Sequence, residues 1–433
     1  MSTAVISLLV FGACLILFVW KPVPQWVTAV TGLSVMLLLG VLPFSKAFSN
    51  YSGTTVVLVV GMMMVGKAAF DTGLAPAVGK AVVELAKNDE RKIVIYGTLI
   101  TGIMSAFLSN IASLSIMIYM MTGICRSDPR IRLKNVIMPV AIGAELGGMA
   151  TLVGSTPQVT AQGMLEKITG DPAGFSFFTF SVPGFLIIFV AALFAGFVAY
   201  PVGKKVWGDR EDDTAESRSD GGMKSSPVEG KKGVMAVIFV VMILLFFFLS
   251  EIKKLIPAFN NAVVAVIAAM LCLWTGCIRP KEAIKGVDWA LIVWLGACLG
   301  MAEGINSSGG GEILANFVGG LLKDSLSPFA LFAIFILITV ILTQFFSNST
   351  VVTLILPIAL PLVGSLGYNC FPFAVGIAMA SQVAIGTPIA NATIAMAMVA
   401  NYRFGDFIKY SWLLILISAA ILIVTIPMLY PLV

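Results

Sequence analysis

The chain has 433 residues, of which 59% are hydrophobic and 11% charged, and its mean hydropathy is +1.00. Soluble domains carry about 25% charged residues, so a water-soluble globular protein is excluded. Apolar runs of about 20 residues recurring from end to end define a polytopic α-helical membrane protein. The net charge of +5 requires no nucleic-acid partner, because it follows membrane topology. The six cysteines stand singly in or beside apolar segments, and Cys272 and Cys277 lack zinc-site spacing, so all six read as packing residues.

Residues 1–20 lack the basic region and small-residue cleavage site of a secretory signal and read as a retained first span. Candidate spans lie at 3–20, 25–43 and 54–70, followed by an amphipathic stretch at 75–89 with Lys80, Glu84 and Lys87. The apolar region 92–124 is broken at Ser109-Asn110. Each of its halves is ~16 residues, short for a crossing at 1.5 Å per residue, so a re-entrant hairpin with a polar tip is predicted. Region 134–167 is broken at Gly154-Ser155-Thr156-Pro157 and reads as a discontinuous helix, and a span at 178–201 closes the first half.

Residues 202–233 hold seven basic and seven acidic residues with Ser, Gly and Pro, the composition of a flexible linker. The order then repeats. Spans at 234–252, 257–277 and 290–306 precede a Gly-rich amphipathic piece at 307–323. A hairpin (327–366) carries Ser347-Asn348, a broken helix (371–401) carries Gly386-Thr387-Pro388, and the last span is 410–431. Gly40 and Gly276, Ala47 and Ala283, and Gly73 and Gly309 pair at a constant offset of 236, and the Ser-Asn pairs lie 238 apart. Residues 1–201 and 234–433 are therefore expected to be two copies of one unit. Each has five crossings plus a hairpin, which makes the second copy inverted. The predicted fold is all-α, with two inverted-topology repeats, about ten transmembrane helices, two re-entrant hairpins and two broken helices.

Orientation follows from the basic residues. With both termini outside, the loops from Lys80 to Lys92, Arg126 to Lys134, Arg279 to Lys285 and Arg403 to Lys409, the 202–233 linker, Lys21 and Lys67 put 22 of 27 basic residues on the cytoplasmic side. The outer side keeps Lys46, Lys167, Lys253, Lys254 and Lys323. The expected location is a cell (inner, cytoplasmic) membrane.

Inverted repeats with broken helices are the pattern of a secondary transporter whose site lies near the midplane. Unwound backbone at that depth is tolerated only where it lines an enclosed cavity. There, half-helix N-termini offer N–H groups to an anion, and half-helix C-terminal carbonyls can coordinate a cation such as Na⁺. Ser and Asn add oxygens without fixed charge. A single Ser-Asn could be interhelical glue; two at matching positions favour a site.

At these motifs the sequence resembles the divalent anion/sodium symporter family of the ion transporter superfamily. In layout the resemblance covers nearly the whole chain, and in specific residues it rests on the four short motifs at 109–110, 154–157, 347–349 and 386–388. It implies a first Na⁺ site at Ser105, Ser109, Asn110 and Gly154 and a second at Thr343, Asn348 and Gly386, two or more in all. Substrate contacts would fall to Asn110, Ser155, Ser347, Asn348, Ser349, Thr387 and Pro388. It further implies a small anionic substrate (a dicarboxylate, citrate or a sulfate-like oxyanion), a homodimer, and an elevator-like moving domain. The chain departs from the family pattern at Ile111, where the first motif has Thr, and at Thr156-Pro157-Gln158 and Pro388-Ile389, where a double proline is reduced.

Glu145, in Ala144-Glu145-Leu146-Gly147-Gly148, is an intramembrane carboxylate and so a candidate for proton coupling or cation attraction, with a paired structural carboxylate, or one close enough to the cytoplasmic face to be wet, as the alternative. Lys67 and Glu303, 236 apart, are candidates for a salt bridge across the pseudo-twofold, against the alternative that both mark wet span ends. A proton-coupled carrier, an anion exchanger or an Na⁺/H⁺ antiporter are alternatives on the same layout, and a channel is a further one. An intramembrane enzyme is disfavoured by the absence of histidine and of any His-Glu-x-x-His, Gly-x-Ser-x-Gly or Walker-type loop.

Overall fold

The computed structural model describes residues 2–20, 22–75, 77, 86, 89–128, 130–169, 174–207, 228, 230–310, 313, 327–389 and 391–433. Most of the expected 202–233 linker, of the 75–89 stretch and of the 307–323 piece lies outside the described residues, as do Lys21, Lys80, Glu84, Lys87 and Lys323.

Among the described residues the fold is all-helical, with no strand. The first half holds α1 (Thr3–Trp20), α2 (Gln25–Leu38), α3 (Thr54–Asp71), α4 (Glu90–Phe107), α5 (Asn110–Ser127), α6 (Leu133–Gly147), α7 (Thr156–Thr169) and α8 (Ser181–Phe194). After α8 the helix runs on through a π-helical turn into Tyr200–Trp207. The second half holds α9 (Lys232–Phe247), α10 (Asn261–Trp274), α11 (Trp289–Ser307), α12 (Pro328–Leu342), α13 (Asn348–Ser365), α14 (Cys370–Ser381), α15 (Ala392–Met396) and α16 (Phe404–Leu429).

Among the described residues five helices are long and apolar enough, by length and composition, to cross a membrane: α3, Ser181–Lys205, α11, α13 and α16. Two expected spans end early, for a local reason. α2 stops at Leu38 instead of 43 and α10 at Trp274 instead of 277. Each is followed by a glycine with positive φ, Gly40 at 73° and Gly276 at 71°, a conformation that costs glycine nothing. The next residue then closes the helix, Val41 N–H onto Met36 O and Cys277 N–H onto Cys272 O, each a Schellman cap. The first hairpin's arms are also longer than expected, at 18 residues each.

α4 packs most extensively on α6, α3 on α10, and α2 on α11. The α4–α6 contact depends on small residues: a Cβ on Gly147 would lie 2.2 Å from Gly102 O, and one on Gly143 2.4 Å from Thr98 O. Such close approach is how membrane helices associate without a hydrophobic drive. α1–α3 and α9–α11 form one group of neighbours. The hairpins, broken helices, α8 and α16 form another, joined to the first chiefly where α7 meets α11.

The expected Lys67–Glu303 bridge does not form. Lys67, 6% exposed, pairs with Asp71 one helical turn on, whereas Glu303 pairs with Lys167 at 3.4 Å. A side chain four residues away on the same helix face is already within reach and needs no long-range alignment. Among the described residues the cysteines form no disulfide, and Cys14, Cys272, Cys277 and Cys298 are buried in the core.

Candidate functional site

Each hairpin turns at its Ser-Asn, and the serine makes the turn. Ser109 (φ −64°, ψ 146°) caps α5 by accepting from Ala112 N–H at 3.3 Å. Ser347 (φ −63°, ψ 143°) caps α13 by accepting from Thr350 N–H at 3.3 Å. A serine in extended backbone followed by a helix is a favoured N-cap. It leaves the first N–H groups of both half-helices, with their partial positive charge, at the tips.

The two tips meet at one carboxylate. Asn110 Nδ2 donates to Glu145 Oε2 at 3.0 Å, and Asn348 Nδ2 donates to Glu145 Oε1 at 2.5 Å. Thr393, from the second broken helix, lines the same cavity as Glu145. Glu145 is 1% exposed, and each of its two oxygens accepts from the asparagine of a different hairpin. Asn348 Nδ2 additionally donates to Gln382 Oε1, and Gln382 Nε2 reaches Gln158 Oε1 at 3.4 Å.

A cavity of about 780 Å³ opens beside this junction. Among the expected site residues, Ser109, Asn110, Gly154, Ser155, Ser347, Asn348, Ser349, Pro388 and Glu145 line it. Ser105, Thr343, Gly386 and Thr387 do not. Ser105 Oγ is behind the first tip, donating to Asn110 Oδ1 at 2.8 Å. Thr387 is buried, and its hydroxyl donates to Gln344 O. Ile111 is 48% exposed at the cavity wall, an apolar side chain where the second tip presents Ser349. Gln25, Lys67, Thr156, Asp288, Asn391 and Thr393 complete the polar lining.

Around Gly154 the first half builds an oxygen cradle. A Cβ there would lie 2.6 Å from Gly148 O and 3.0 Å from both Ser105 O and Ala106 O. A Cβ on the neighbouring Gly148 would lie 2.3 Å from Asn110 Oδ1. Ser105 and Ala106 are in the last turn of α4, whose carbonyls have no intrahelical donor, and Ala106 O accepts instead from the Thr151 hydroxyl. Converging carbonyl and amide oxygens without an opposing N–H fit a hard monovalent cation. At the second hairpin, Thr343 Oγ1 donates to Ser381 O at 2.5 Å and lies 3.4 Å from Asn348 Oδ1. There Gly386 faces a side chain instead: its Cβ would meet Gln344 Oε1 at 2.7 Å, then Ile415 and Ile408.

Sequence reasoning missed Gln344, Gln382, Gln158, Thr393 and Gln25. For two of them a signal existed. Gln382 stands 237 residues after Glu145 and Gln344 238 after Ala106, so both fall on repeat positions already in use. Gln25 Nε2 donates to Thr350 Oγ1 at 2.9 Å and to Ser347 Oγ at 3.4 Å, tying α2 to the second tip.

Residues 15–367 match the family described as citrate transporter, CitMHS. An uncharacterized transporter of Haemophilus influenzae is 25% identical over 411 residues, covering 91% of this chain and 85% of that protein. The sodium-dependent dicarboxylate transporter SdcS of Staphylococcus saprophyticus is 22% identical over 402 residues, covering 84% of this chain and 76% of that one. Among solved structures, Neisseria gonorrhoeae MtrF, reported as one of a class of antimetabolite efflux pumps, shares the fold with a TM-score of 0.64 at 14% identity, over 98% of this chain and 94% of its own. The family and these relatives are transporters, not enzymes. With more than half its length matched, the chain belongs to the citrate transporter family, within the ion transporter superfamily that its hairpin motifs resemble, and is a polytopic secondary transporter.

Proposed function

We propose that the chain carries a small di- or tricarboxylate inward across the cell membrane together with Na⁺, by an elevator-type alternating-access movement of a homodimer. One observation carries this reading: both hairpin tips, each a capped half-helix N-terminus, converge with the Gly154 cradle on one cavity of about 780 Å³. That volume is within the range of small-molecule sites, about 300–1,000 Å³. Na⁺ would be held by Ser105, Asn110 and the carbonyls around Gly154, and would supply a positive charge next to the anion. Asn110, Asn348, Ser155, Ser347, Ser349 and Pro388 would contact the substrate. Its carboxylates would receive the N–H groups of α5 and α13. A half-loaded site would carry an uncompensated charge and resist movement.

Supporting the inverted repeat, the equivalent glycines Gly73 and Gly309 share a positive φ, 77° and 78°, as Gly40 and Gly276 do. With both termini outside, contacts join segments of the same side. Glu90 accepts from Tyr200 Oη at 2.6 Å, and Tyr402 bonds Lys134 O, at the cytoplasmic ends. Glu303 meets Lys167, and Tyr430 Oη donates to Thr179 O at 2.8 Å, at the outer ends. In this orientation Gln25, Lys67 and Asp288 are cytoplasmic ends, so the cavity they line faces inward.

Glu145 favours a second reading. A carboxyl that both tips grip can exchange a proton with each cycle, which would make the carrier proton-linked, by symport or antiport. The test is uptake of labelled succinate and citrate into liposomes with an inward Na⁺ gradient or an inward proton gradient. Uptake driven by Na⁺ and lost in Asn348→Ala supports the first reading. Uptake driven by protons, and made pH-independent by Glu145→Gln, replaces it with the second.

A further inference from the structure

The two hairpins are built alike but differ four residues before each asparagine, where the first has Ala106 and the second Gln344. Gln344 is 8% exposed and fully used. Its Nε2 donates to Val340 O at 2.8 Å and to Val383 O at 2.8 Å, and its Oε1 accepts from Gly386 N–H at 2.9 Å. The amide orientation is fixed by these partners, since the reverse would set an oxygen against two carbonyls. Val340 is in the last turn of α12, where carbonyls lack helical donors, and Val383 is in the unwound segment after α14. A half-helix C-terminus and an unwound carbonyl are the oxygens that would coordinate a coupling cation. Here the two N–H groups of a tethered amide already satisfy them.

We propose that Gln344 is a built-in substitute for the second cation, and that this carrier holds one Na⁺ per chain, at the Gly154 cradle. This rests on the Na⁺-coupled reading and sharpens it. At Gly154 the surrounding oxygens are backbone carbonyls and Asn110 Oδ1, and Ala106 extends no side chain into them. At Gly386 the same place is filled by the Gln344 amide, with Ile408 and Ile415 beyond it. Of the first set, Ala106 O and Asn110 Oδ1 accept from the hydroxyls of Thr151 and Ser105, which can turn a lone pair to an ion; the second is closed by amide N–H groups that a cation would have to displace at the loss of three hydrogen bonds. The second hairpin thereby stays ordered without an ion, and Asn348 remains free to work with Glu145 at the substrate cavity.

The test is equilibrium binding of ²²Na⁺ to the purified full-length protein, read as stoichiometry and Hill coefficient and not as transport. The expected result is one ion per chain with a Hill coefficient of about 1, which cannot exceed the number of sites. Binding should be lost in Gly154→Ala and in Ala106→Gln, the latter transplanting the amide plug into the first hairpin. Gln344→Ala should gain a second ion if it folds, as judged by its elution volume and melting curve. Two ions in the unmodified protein, or one ion retained in Gly154→Ala, overturns the proposal and leaves Na⁺ coupling intact. Absence of binding in the unmodified protein overturns both.

Discussion

The two hairpin tips share a backbone and differ in what surrounds it. Their capping serines agree within a few degrees, yet four equivalent positions have diverged: Ala106 and Gln344, Ile111 and Ser349, Glu145 and Gln382, Lys67 and Glu303. In the first half the divergence leaves an oxygen cradle, an apolar tip and an acid; in the second it gives a plugged cradle, a hydroxyl tip and an amide. On the reading proposed above, these differences suit the first half to a cation and the second to an anion. Glu145 joins them, since the first half's acid is gripped by the second half's asparagine.

That division can be broken most severely at Glu145. Glu145→Ala leaves the amides of both Asn110 and Asn348 without this acceptor, at about 1–3 kcal/mol for each buried unsatisfied group. The expected outcome is loss of uptake and a lower melting temperature in detergent. Gln382→Ala, which leaves Asn348 its bond to Glu145, should cost about half as much in the same melting assay. Equal losses would mean that the carboxylate does not join the halves.

Next in size is Lys67→Met. It removes the Lys67 ammonium from the Asp71 carboxylate, whose side chain is 1% exposed, and breaking a buried pair this way costs about 3–5 kcal/mol. Thermal unfolding should show most of that loss recovered in the double variant Lys67→Met, Asp71→Leu.

The tips are the next comparison. Ser349→Ala removes a hydroxyl from the anion's side, and a hydrogen bond to a charged group contributes about 1.5–3 kcal/mol. KM for succinate should rise about tenfold or more, as 1.4 kcal/mol is tenfold. Ile111→Thr gives the first tip the hydroxyl it lacks and should lower KM severalfold. An unchanged KM in both would remove the tips from substrate binding. The smallest effect is expected for Glu303→Gln, since its pair with Lys167 is partly exposed and such bridges contribute about 0–1 kcal/mol. Its melting curve should overlay that of the unmodified protein.

The sequence by itself determined the membrane class and the places near Ser109, Gly154, Ser347 and Gly386 where helices end and restart. These follow from hydropathy and from short motifs, signals carried by neighbours in the chain. Even the early ends of α2 and α10 were latent in Gly40 and Gly276, which had been noticed as a repeat and not read as caps. Other features were decided only by tertiary structure. Glu145 could have bonded anything at its depth until two helix breaks, 238 residues apart, brought Asn110 and Asn348 to its two oxygens. Lys67 was matched in sequence to Glu303, but distance favoured Asp71 on the same helix face. Gln344 precedes the second Ser-Asn motif unremarked; only the approach of Val383 and Gly386 from the unwound segment after α14 gave its amide a second carbonyl and an N–H. The physical reason is common to all three. Pattern fixes which groups must be buried, but a buried polar group must find a partner, and which partner it finds depends on the packing of segments far apart in the chain.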